Sequence, residues 1–139
     1  MFKRILVAVD GSDHAVKAAQ LAGDICRSMG ADLALVTVFD PIPNYLGEPF
    51  IQAALTKRME PAQAVLNEAR DHVGEIPGEL TTDMLEGPPA EAILKLLESR
   101  NVDLVIMGTR GLGRLRGLVL GSQSQKVVQH APCPVLLVR

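Results

Sequence analysis

Apolar and polar positions along the chain alternate between two periods. Arg4 to Asp10 is an unbroken apolar run between charged ends, the pattern of a strand covered on both faces. Gly11 and Ser12 turn the chain, and Ser12 is a cap for the helix that follows. Ala15, Ala18, Ala19, Ala22, Ile25, Cys26 and Met29 then recur at helical spacing until Gly30 stops the run. Asp32 to Phe39 is a second apolar strand. Asp40 to Pro49 holds three prolines and reads as a loop. Phe50 to about Val73 has helical character, but Pro61 lies inside it, which predicts a kink or a second helix with Pro61 at its first position.

The same alternation continues to the end. Glu79 to Glu86 is a strand with interspersed polar residues, and Pro88 to Arg100 is a helix with Ile93, Leu96 and Leu97 on one face. Asp103 to Met107 is a fourth strand, Ser122 to Ala131 a fourth helix and Val135 to Val138 a fifth strand. Strand and helix in strict alternation predict a parallel sheet with helices on both faces, an α/β/α sandwich. The polar third strand suits an edge, while the first, second and fourth suit the centre. The order 3-2-1-4-5 fits these facts, and residues 1–139 form one domain without repeat or linker. Strand order then reverses between strands 1 and 4, so Asp10 and Gly108 face one crevice, where ligands of such sheets bind.

Composition narrows the class. The chain has 139 residues, 47% apolar but only 3% aromatic, with no Trp, so its core is aliphatic and alanine-rich. A net charge of −2 gives no field for nucleic acid or an acidic membrane. No apolar run reaches the roughly 20 residues of a membrane span. The first residues do not read as a signal peptide, because Asp10 ends the apolar run early and no small-residue cleavage site follows. Cys26 and Cys133 have no metal spacing and read as small buried thiols, at home in a reducing cytoplasm. The three histidines show no metal spacing, and His130 suits a helix C-terminus.

The candidate chemistry lies after the fourth strand. Gly108 and Gly111 are followed, nine residues on, by Gly121 and Ser122. A strand ending in a glycine turn and a loop returning to a helix N-terminus present backbone N–H groups and a helix dipole to one point, as phosphate binding requires. Arg116 breaks the dinucleotide fingerprint, and Arg114-Leu115 replaces the Lys and Ser/Thr of a Walker A loop. Taken singly, the glycines are also good turn residues, Ser122 is a good cap, and Asp10-Gly-Ser12 is good turn chemistry.

The full spacing, Gly108-x2-Gly111-x9-Gly121-Ser122, resembles the nucleotide-binding motif of the universal stress protein family, ATP-binding type. The match includes Met107 before it, Ser124 within it, His130 to Val135 after it, and the opening Ile5 to Ser12. The resemblance implies the five-stranded sheet above, of the adenine nucleotide alpha hydrolase-like kind, and binding of ATP, AMP or ADP. It places the end of the first strand, Ala8, Val9 and Asp10, against the nucleotide, with Asp10 at the ribose or at a Mg2+ held through the phosphates. Val38 would offer backbone groups to adenine, and Met107 and Gly108 would line the ribose and base side. Arg110, Gly111, Gly121, Ser122 and Ser124 would hold the phosphates. Gln123 departs from the small apolar residue usual at its position, but its backbone N–H can still serve. Arg110 either closes over the phosphates or is solvated, whereas Arg114 and Arg116 face solvent.

Three functions are compatible with these residues. One is a regulatory, stress-response domain that binds ATP, with nucleotide ordering the loop from Leu112 to Leu120 and hydrolysis slow at most. The others are an interaction module without nucleotide and a weak phosphotransferase or ATPase. The last strand, Val135 to Val138, is apolar on both faces yet lies at an edge, which predicts a homodimer through it. The resemblance points the same way.

Overall fold

The computed structural model describes residues 1–109 and 120–139; the sequence expectations for Arg110, Gly111 and the loop to Val119 lie outside the described residues. Five strands and four helices alternate: β1 (Arg4–Ala8), α1 (Asp13–Met29), β2 (Asp32–Phe39), α2 (Phe50–Val73), β3 (Leu80–Glu86), α3 (Pro89–Arg100), β4 (Leu104–Gly108), α4 (Ser122–His130) and β5 (Val135–Val138). All four strand pairings are parallel, in the order β3-β2-β1-β4-β5, as the patterning predicts. Ala8 stands opposite Val36 on one side and Met107 on the other.

Because side chains of a strand alternate between faces, the sheet feeds two cores. Ile5, Val7, Leu33, Leu35 and Ile106 pack under α1 and α2. Leu6, Val36, Val105 and Met107 pack under α3 and α4 with Ile93, Leu97 and Val127. The alanines of α1 explain its closeness to the sheet: Ala18, Ala19 and Ala22 are fully buried. Met29, predicted on the same stripe, is 43% exposed, because it belongs to the helix's last turn, before Gly30.

Helix α2 runs unbroken through Pro61, so no second helix starts there. Its buried residues, Ala62, Leu66, Ala69 and Val73, all follow the proline. Pro61 itself is exposed, on the side where water can satisfy the carbonyl that the missing N–H leaves free. Strand β1 is shorter than the apolar run that encodes it. Val9 still donates to the Val36 carbonyl at 2.9 Å, but Asp10 then leaves the sheet into the turn before α1. Strand β5 closes one edge, with Leu136 36% exposed.

Candidate functional site

Three strand ends and three helix N-termini surround a cleft of about 250 Å3. It lies beyond the C-terminal ends of β2, β1 and β4, where strand order reverses. Of the residues singled out in the sequence, Ala8, Val9, Asp10, Val38, Met107, Gly108, Gln123 and Ser124 line it. Gly121 and Ser122 form the entrance to α4 beside it and do not line it. Arg110 and Gly111 lie outside the described residues.

The floor is apolar, made by Val36, Val38, Ile93 and Val127. Val38 has a particular place there. Alternate residues of β2 turn their backbone groups toward β1, as Asp32 N–H does to Lys3 O and Val36 O does to Val9 N–H. By this alternation Val38 N–H and C=O also point to the β1 side. The β1 ladder ends at the Ala8–Val36 pair, so these groups lie past it and border the cleft.

The opposite wall is polar. Asp10 is exposed, and one of its carboxylate oxygens accepts the Ser12 N–H at 2.9 Å. Ser12 in turn caps α1 by accepting the Ala15 N–H at 3.2 Å. The Asp-Gly-Ser turn chemistry is therefore real, and it leaves the second oxygen of Asp10 free at the cleft rim. Asp10 is the one carboxylate among the described lining residues. Among the described residues no group of three or more His, Cys, Asp or Glu side chains could hold a metal.

Helix α4 brings open amides to this point. Its first intrahelical bond runs from Gln125 N–H to Gly121 O, at 2.9 Å. The N–H groups of Ser122, Gln123 and Ser124 therefore have no acceptor within the helix, and among the described residues no side chain caps it. The positive end of the helix dipole faces the same opening. Ser124 is buried, and its hydroxyl points at the Gly108 carbonyl from 3.5 Å.

Two features escaped the sequence. Gly108 is fixed by packing: a Cβ there would stand 2.7 Å from the His14 Cβ and 3.2 Å from the Ala15 nitrogen. The absence of a side chain lets the first turn of α1 close on β4, where His14 Nδ1 and Thr109 Oγ1 are hydrogen-bonded at 3.1 Å. The second is the α3 wall, Pro89 and Ile93. Helix α3 has no side-chain cap of its own, because Pro88 precedes it. Instead Gln123 reaches over from α4, and its Oε1 accepts the Ala90 N–H at 2.9 Å. Ser12, Val36 and Val127 could have been found: Ser12 stands two residues from Asp10 in the same turn, and Val36 and Val127 stand two and four residues from Val38 and Gln123 on β2 and α4. Pro89 carries no such signal.

A parallel α/β sheet whose switch point opens on a helix N-terminus is an architecture in which an anionic group can be held. The chain belongs to the universal stress protein family, which it matches over residues 1–139. It is 53% identical, over the full length of both chains, to a Thermus aquaticus protein described as a universal stress protein in the QAH/OAS sulfhydrylase 3′ region. Among solved structures it superposes on the universal stress protein UspA of Lactobacillus plantarum with a TM-score of 0.83, at 27% identity, covering 99% of this chain and 98% of that one. A universal stress protein in complex with cAMP gives a TM-score of 0.78 at 26% identity, covering 99% and 97%.

Proposed function

We propose that this protein binds an adenine nucleotide as a regulatory, stress-response protein. The base would lie on the apolar floor against Val38, with Ala8, Val9 and Met107 beside it. The ribose would meet the free oxygen of Asp10. Gly108 would line the ribose and base side with Met107, and the phosphates would run to Arg110, Gly111, Gly121, Ser122 and Ser124. The observation that carries this reading is the convergence of the open α4 amides, Asp10 and the unladdered backbone of Val38 on one cleft. The cAMP complex of a structural neighbour supports it. The enclosed volume of about 250 Å3 lies just below the ~300–1,000 Å3 usual for small-molecule sites, which suits a ligand whose phosphates extend along α4.

ATP, ADP and AMP share these contacts, with the longer tails gaining more from the helix dipole. Mg2+ would arrive on the phosphates, since one carboxylate alone makes no cage for it. Hydrolysis would be slow, because Asp10 is the sole acidic group among the described residues lining the cleft and already anchors a turn. Equilibrium dialysis with ATP, with and without Mg2+, tests the reading. Saturable binding is expected, and no binding at millimolar nucleotide would overturn it.

The reading extends to a second copy of the chain. Strand β5 is an edge strand with Leu136 36% exposed, and an apolar edge invites pairing. Two-fold pairing of Val135 to Val138 would give a homodimer. Sedimentation should then show twice the 14.9 kDa chain mass, and Leu136→Lys should give monomers. A wild-type monomer at micromolar concentration would dismiss the pairing. The free Cys26 and Cys133 suit a reducing, cytoplasmic setting.

A further inference from the structure

Gln123 caps a helix to which it does not belong, and this fixes the direction of its carboxamide. The Ala90 N–H can only donate, so the atom 2.9 Å from it must be the oxygen. Nε2 then points its two N–H groups elsewhere. No described residue accepts from them, yet Nε2 is not a buried atom without a partner. Gln123 lines the cleft together with Pro89 and Ile93. The carboxamide therefore offers donors at the α3 wall.

That wall adjoins Val38. The turn that enters α3 leans on it so closely that a Cβ at Gly87 would stand 3.2 Å from Val38 Cγ1. The side chain of Gln123 thus reaches toward the floor of the cleft, while its backbone N–H belongs to the open α4 turn. We infer that Gln123 reads the base of the bound nucleotide, donating a hydrogen bond from Nε2 to a purine ring nitrogen while Ala90 holds its oxygen. The inference rests on the nucleotide reading above. Val38 N–H and C=O have the donor–acceptor pair that matches adenine N1 and its exocyclic amine, so the acceptor left for Gln123 is N3 or N7. A small apolar residue at this position would supply no such donor, so the residue adds base selection to a site otherwise built from backbone groups.

The bland alternative is that Gln123 only caps α3. Two variants separate them. Gln123→Glu keeps an acceptor for the Ala90 N–H but loses the donors, and Gln123→Met loses both. Titration calorimetry with adenosine, 3-deazaadenosine and 7-deazaadenosine avoids any repulsion between Glu and phosphates. The wild type should bind one of the deaza compounds about 3- to 10-fold more weakly than adenosine, the range of one neutral hydrogen bond. Gln123→Met and Gln123→Glu should bind adenosine weakly by the same factor and be indifferent to that deaza substitution, a non-additive cycle. Gln123→Met should also lose Tm, whereas Gln123→Glu should not.

Additive losses with both deaza compounds, or adenosine binding by Gln123→Glu equal to wild type, would show a cap and nothing more. A wild type that binds neither ATP nor adenosine fails at an earlier step. It removes the nucleotide reading itself, and this inference with it.

Discussion

The two ends of the sheet are built from the same kinds of residue and used in opposite ways. At the N-terminal ends of the strands Asp103 and Asp32 close loops. Asp103 accepts the backbone N–H groups of Lys3 and Arg4 at 2.9 and 3.1 Å, which ties β4 to β1. Asp32 accepts the Glu79 N–H at 2.8 Å and ties β2 to the start of β3. Arg27 holds the end of α2 through the carbonyls of Val73 and Glu75, and Arg100 makes a two-pronged contact with Asp83. At the C-terminal ends Asp10 spends one oxygen on a turn, Val38 outruns its ladder, and α4 starts without a cap. Backbone groups are left open at one end, while the other end satisfies its own; the proposed nucleotide reading puts the ligand at the open end.

Two glycines at the open end give the largest contrast. Gly121 has φ −59° and ψ 151°, a conformation any residue adopts, so folding does not require glycine there. Gly121→Val should weaken ATP binding about 100-fold or more, worth about 2.8 kcal/mol, with Tm almost unchanged. Gly108→Val should do the reverse. Its side chain would drive α1 off β4 and cost about 3 kcal/mol of stability, so it should yield little folded protein. Thermal melts and dialysis of both variants read the difference. Equal damage to stability in the two would mean that Gly121 also serves packing.

The aspartates give the next contrast. Asp10→Ala should lower nucleotide affinity about tenfold, the loss of a hydrogen bond to a charged acceptor, with little change in Tm because only the Ser12 N–H loses a partner. Asp103→Ala should lower stability by about 2 kcal/mol, since two backbone N–H groups lose their acceptor, and leave affinity unchanged. Wild-type affinity in Asp10→Ala would remove it from the site.

Most of the architecture was legible because it rests on local periods. The unbroken runs at Arg4 and Asp32 can only be covered strands, and the polar residues after Glu79 can only be tolerated at an edge. The start of the cleft followed from the switch point. The rest depended on pairs that no period records. Gln123 and Ala90 are 33 residues apart, and nothing in either neighbourhood says that one caps the other. Gly108 looked like a glycine kept for a ligand because the sequence shows the loop after it but not the helix packed on it. Pro61 looked like a break because the sequence does not reveal that the first half of α2 carries no buried residue.

The smallest effect concerns the two thiols, both outside the cleft. Burial pushes the Cys26 thiol up from an ordinary 9.0 to about 11, with the nearby Asp32 adding to it against Arg27. Burial, with Asp103, also raises Cys133. A raised thiol pKa means that the folded state keeps a proton that the unfolded state has already released. Below pH 9 both states are protonated and the thiol contributes no pH dependence. Between pH 9 and about 11 the unfolded chain binds fewer protons, so stability falls as pH rises. Cys26→Ala should flatten that slope in Tm measured across this window, after its own constant loss from the small cavity is subtracted. Nucleotide should shift the whole curve upward without changing the slope, because the thiol and the cleft lie at different ends of the sheet. A slope that changes with ATP would mean that the two ends are coupled.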